Sequence, residues 1–164
     1  MGCRNKVQLA AMKICIVSSK HVSYNPRVIK EADALSSAGH GVTVVTVCNN
    51  YAQAILDQGI TTSRSWRLLT VKSRRQGGGG IEHFRWLCFG IRQRLFSGYL
   101  TRLTLGNGVA ERAQGREYPE LLRLACSVMA DLYIAHHAEC LGAAYTAARR
   151  HNARFAFDAE DFHS

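Results

Sequence analysis

The chain has 164 residues, 47% hydrophobic and 20% charged, with a formal net charge of +9. That supplies apolar material for one α/β core and leaves no room for a second full domain. The apolar run Ile14 to Val17 is far shorter than the roughly 20 residues needed to span a bilayer, which speaks against an integral membrane protein. The arginine excess predicts phosphate-bearing partners: anionic lipid, nucleic acid or a polyprenyl-linked glycan.

In chain order, Met1 to Met12 shows no period and reads as an extension before the domain at 13–164. Lys13 to Ser18 (KICIVS) is the short β-branched run expected of a strand buried on both faces of a parallel sheet. Asn25-Pro26 then signals a helix start, Val28, Ala32 and Leu35 keep helical spacing, and Gly39 offers a left-handed stop. Val42 to Val47 (VTVVTV) is a second strand ending at a Cys48-Asn49-Asn50 turn. The strand–helix–strand unit is long enough for a right-handed parallel crossover.

A short helix at Tyr51 to Gln58 and a third strand at Trp66 to Lys72 follow, and Ser73 to Gly80, ending in four glycines, reads as a flexible linker. Ile81 to Leu103 places apolar residues at 81, 84, 87, 88, 91, 95, 99, 100 and 103, a helical stripe interleaved with arginines. Trp86, Phe89 and Phe96 lie off that stripe, so with Arg85 and Arg92 they are expected to meet an anionic membrane surface; a packed domain helix is the alternative. Further helices around Pro119 to Met129 and Ala138 to Arg150 alternate with strands at Leu132 to Ala135 and Arg154 to Phe157.

Strands alternating with helices throughout predict a Rossmann-like α/β fold, an open parallel sheet with helices on both faces. Ligands of such sheets bind outside the carboxyl ends of the strands, at the switch in strand order. There the sequence offers His136 and His137 after strand four, Asp158, Glu160 and Asp161 after strand five, and His21 and Arg27 after strand one. His136 has the near-neutral titration suited to a proton acceptor, and Arg27 the forked cation suited to a phosphate or carboxylate. The alternatives are a polar loop for the histidine pair and a helix cap for the acidic cluster. No G-x-G-x-x-G follows the first strand and no G-x-x-x-x-G-K-[ST] occurs, so neither a nicotinamide enzyme nor a P-loop nucleotidase is expected. No His/Cys spacing supports zinc. The six cysteines form no C-x-x-C pair and several lie in apolar runs, as in a reduced, cytoplasmic protein.

Met12 to Ser18, then Pro26-Arg27-Val28 with Lys30-Glu31-Ala32 and Leu35, then Gly39-His40-Gly41-Val42-Thr43-Val44, resembles the opening of the retaining family-four glycosyltransferases, "PRV-x-KEA-x-x-L-x-x-x-GH-x-V-x-V". Ala130-Asp131 through Ala135-His136, followed by Phe157-Asp158-Ala159-Glu160-Asp161, resembles that family's "AD-x-x-x-AH" and "YD-x-HE". Glu160 stands where the family often has His, Asp161 where it often has Glu, and Lys20 to Tyr24 replace its glycine pair. The resemblance covers both ends of the chain and leaves 50–125 unmatched.

It implies the amino-terminal, acceptor-side half of a two-domain GT-B enzyme that transfers a hexosyl group from a nucleotide-sugar donor to a glycan or lipid-linked acceptor, with no cofactor. His136 would be the catalytic or acceptor-orienting residue, and Arg27, His21, His137, Asp158, Glu160 and Asp161 would line the acceptor cleft. The carboxy-terminal donor domain has no counterpart in these residues, so the chain alone is expected to be inactive. It would be cytoplasmic and peripheral to the inner face of the membrane. The competing class is a non-catalytic module docking on an anionic membrane surface or nucleic acid. Aromatics at helical spacing disfavour nucleic acid.

Overall fold

The computed structural model of the chain describes residues 10–76, 79–100 and 115–159. Five strands, β1 (Lys13–Ser18), β2 (Gly41–Asn50), β3 (Arg67–Gln76), β4 (Leu132–His136) and β5 (Arg154–Asp158), form one sheet in the order β3-β2-β1-β4-β5. Every pairing is parallel. Helices α1 (Pro26–Ser37), α2 (Tyr51–Thr61), α3 (Gly80–Leu95), α4 (Tyr118–Cys126) and α5 (Ala138–Arg150) connect them. The Rossmann-like α/β fold expected from the alternation is present.

The central strand shows why. Successive side chains of a strand point to opposite faces, so Ile14 and Ile16 pack with Val28 and Ala32 of α1, while Cys15 and Val17 pack with Leu121 of α4 and Ala143 and Ala147 of α5. Five of the six β1 residues are buried, a pattern only a near-continuous apolar run supports. Each fully buried aliphatic side chain contributes roughly 1.5–3 kcal/mol of transfer free energy, so β1 anchors the layers on both sides of the sheet.

Helix α1 begins and ends by local chemistry. The Asn25 side chain accepts the Val28 amide at 3.3 Å, and Pro26 occupies the first turn. At the other end Gly39 has φ +92°, and the His40 amide donates back to the Leu35 carbonyl at 3.1 Å. A Cβ on Gly39 would meet nothing within 4 Å, so only its backbone angle opposes substitution. Gly39→Ala is therefore expected to cost about 1 kcal/mol, measured by chemical denaturation.

Four expectations need correction, the first being the Cys48-Asn49-Asn50 turn, which is strand, since β2 runs to Asn50. The third strand runs on to Gln76, so residues 73–76 of the expected linker belong to the sheet. Ser73 is buried and its hydroxyl donates to Glu117 at 2.8 Å, which lets a polar residue stay in the strand. Gly77 and Gly78 lie outside the described residues, and Gly80 already opens α3. The long helix breaks into α3 and a π-helical turn at Phe96–Leu100, while 101–103 lie outside the described residues. No helix among the described residues is long and apolar enough to cross a membrane.

Candidate functional site

The sheet register sets Ser18, His136 and Asp158 side by side, at the carboxyl ends of β1, β4 and β5. This is where the strand order switches, since β2 and β3 lie to one side of β1 and β4 and β5 to the other. His136 follows Ile134 by two residues and so shares its face, beneath α1. Helix α1 presents Arg27 and Glu31, four residues apart and hence on one side of the helix, above this row.

The contacts link these polar and charged groups in a chain. His136 Nε2 lies 2.6 Å from Glu31 Oε2, a hydrogen bond, and Nδ1 lies 3.3 Å from Asp158 Oδ2, too far off line for one. Arg27 Nη1 stands 3.5 Å from the same Asp158 oxygen. A groove of about 540 Å³ opens beside them, lined by Arg27, Lys30 and Glu31 on one wall and Ala156, Phe157 and Asp158 on the other. Arg27 is 49% exposed and Asp158 31%, so both reach the solvent.

His136 itself is 0% exposed and does not line the groove. The strand's alternation turns the ring inward under α1, where it bonds Glu31 and lies 3.3 Å from Asp158, both of which line the groove.

The expectation for His21 is corrected. Its ring is buried and cross-links three segments: Nδ1 lies 2.6 Å from Asp57 Oδ2 on α2, and Nε2 accepts the Asn49 and Asn50 amides at 3.1 and 3.3 Å. Nε2 also lies 3.0 Å from the Asn49 side-chain oxygen, and Nδ1–H donates to the Asp57 carboxylate. Asp57 Oδ1 also accepts the Ser23 amide at 2.9 Å. Burial alone would push the Asp57 carboxyl up, but hydrogen bonds from His21 and Ser23 outweigh it and hold the group below the usual carboxylate range. His21 is a strut and does not reach the groove.

His137 has φ 72°, rare for a residue with a Cβ, and precedes α5. Its Nε2 lies 3.3 Å from Asn25 Nδ2, joining the cap of α1 to the start of α5, and it is not among the groove's lining residues. Glu160 and Asp161 lie outside the described residues.

The residues on α3 expected to meet a membrane surface divide. Phe89 is buried, and Arg92 donates to both oxygens of Glu120 on α4 at 2.9 and 2.5 Å, so these two face the domain and the expectation for them is corrected. Trp86 and Phe96 are half-buried, with the Arg116 guanidinium 4.6 Å from the Trp86 ring centroid. Arg85 is exposed. The helix turns its aromatic side inward and its main apolar stripe outward, because the inner side is fixed by Glu120 and Arg116.

Cys15 and Cys140 are pushed up to about 12 by burial, which makes both thiols poor nucleophiles. Among the described residues no group of His, Cys, Asp or Glu is arranged to hold a metal ion.

Sequence reasoning missed Glu31 and Asp57 as partners. Glu31 carries a signal, one helical turn beyond Arg27, whereas Asp57 sits in a stretch without clear period. Comparison with protein-family models, with curated proteins and with solved structures finds no match.

Proposed function

We propose that the chain is the acceptor-side domain of a GT-B-type retaining glycosyltransferase that moves a hexosyl group from a nucleotide-sugar to a glycan or lipid-linked acceptor. The observation that carries this is convergence. Arg27 and Glu31, His136, and Asp158 come from three sequence blocks far apart in the chain, and meet within 3.5 Å contacts at the switch in strand order. In the proposed site Arg27 pairs with a phosphate or carboxylate on the acceptor, Glu31 and Asp158 accept hydrogen bonds from sugar hydroxyls, and His136 holds Glu31 from beneath.

The nucleotide-sugar is a donor substrate in this scheme, gripped by a second domain, and no cofactor takes part. Cys15, Cys88, Cys126 and Cys140 form no disulfide among the described residues, which supports the reducing, cytoplasmic setting of this scheme. Residues 1–164 alone are then expected to transfer no sugar when mixed with nucleotide-sugars and lipid-linked acceptors.

Calorimetric titration with a polyprenyl-phosphate-linked sugar tests the assignment. Arg27→Ala should weaken binding about tenfold or more, as for one charged hydrogen bond. Its melting temperature should stay near the parent's, because a half-exposed ion pair at 3.5 Å adds little stability. Unchanged affinity in Arg27→Ala would contradict the assignment.

A further inference from the structure

Helix α3 presents its most apolar stripe to solvent. Ile81, Phe84, Leu87, Ile91 and Leu95 are between 47% and 79% exposed, and at 3.6 residues per turn they fall on the side opposite Trp86 and Phe89. Arg85 flanks the stripe on one side and Arg94 on the other, and Glu82 is the only acid on the helix. An apolar band edged with cations is the pattern of a helix lying in the plane of a bilayer surface.

Beside it lies a groove of about 440 Å³ between β3, α3 and α4, with Lys72, Arg85 and Arg123 in its lining. Its one carboxylate, Glu120, is already committed, held by Arg92 at 2.5 Å and near Arg123 at 3.5 Å. The groove therefore carries an excess of positive charge, and Val71 and Leu124 give it an apolar floor beside the cations.

We propose that this surface docks on a bilayer containing anionic phospholipid. The exposed α3 stripe enters the interfacial zone, and Lys72, Arg85 and Arg123 receive the headgroup phosphate. The inserting side is the one opposite Phe89 and Trp86, and the phosphate pocket belongs to a different part of the domain from the β4–β5 groove. Charge complementarity selects the occupant: a second copy of the chain would bring like charges against these arginines.

The test is co-sedimentation of the 164-residue chain with phosphatidylcholine vesicles and with mixed phosphatidylcholine–phosphatidylglycerol vesicles. The chain is expected to pellet with the mixed vesicles and not with the neutral ones, and to be released as salt rises. Arg85→Ala and Arg123→Ala should each weaken binding about fivefold, with Arg85→Lys retaining it. Phe84→Glu and Ile91→Glu should each abolish most of it, with circular dichroism unchanged because both positions are exposed. Equal binding to both vesicle types, binding to neither, or parent-like binding in the charge or stripe variants would overturn the proposal. Two further results would also overturn it: inorganic phosphate titrating the groove while vesicles bind without it, or stripe variants that change only the chain's oligomeric mass. None of these readouts involves sugar transfer, so the membrane surface and the acceptor groove stand or fall separately.

Discussion

His21→Ala is expected to lower the stability of the fold by roughly 3 kcal/mol or more, because it leaves a buried carboxylate and two amides without their hydrogen-bond partner. The variant leaves the Asp57 carboxylate buried without its 2.6 Å partner and strips the Asn49 and Asn50 amides of their acceptor. Asp57→Ala should cost a similar amount, and the double variant less than the sum, because the two residues share one interaction. Urea denaturation at neutral pH reads all three. A loss below about 1 kcal/mol in both single variants would contradict the strut.

The same pair predicts a pH dependence. The Asp57 carboxyl is depressed below its ordinary 3.8 in the fold, so the unfolded chain takes up its proton first as the solution is acidified. Its contribution to stability is fully present above the ordinary value and is lost as the pH falls through the depressed one. Parent and Asp57→Asn stabilities should therefore draw together in that acidic window. Parallel profiles through it would exclude the linkage.

The second large effect is at His136. His136→Ala removes a fully buried ring that bonds Glu31 at 2.6 Å and leaves Glu31 facing the gap without that partner, while Asp158 keeps Arg27 at 3.5 Å. A loss of roughly 2–3 kcal/mol is expected, less than for His21 because Glu31 and Asp158 are partly exposed and water screens them. A double-mutant cycle with Glu31→Gln should return a coupling of about 1 kcal/mol or more. Zero coupling would mean that the ring packs there without holding the carboxylate.

Much of the fold was legible because its signals are local. KICIVS, the Asn25-Pro26 start and Gly39 each contain in a few residues the burial pattern, cap or stop that the structure uses. The end of β3 was not, since Ser73 stays in the strand through Glu117, 44 residues away. Likewise the period of α3 revealed a helix but not which side meets the domain; that depends on Glu120 from α4 and on Arg116. At the site, strand ends and alternation located His136, Asp158 and Arg27, yet alternation also buries His136, which reading the loop as an exposed cleft overlooked. His21 misled for a related reason: its partner Asp57 lies on a helix with little periodic signal.

The most direct test of the proposed function is a chemical-shift map of the isotope-labelled chain titrated with a lipid-linked or glycan acceptor, and separately with a nucleotide-sugar. The acceptor should shift Arg27, Lys30, Glu31, Phe157 and Asp158 around the groove beside β5, and the nucleotide-sugar alone should leave them unmoved. Acceptors that move nothing at that groove, or a nucleotide-sugar that binds there by itself, would contradict an acceptor-side domain.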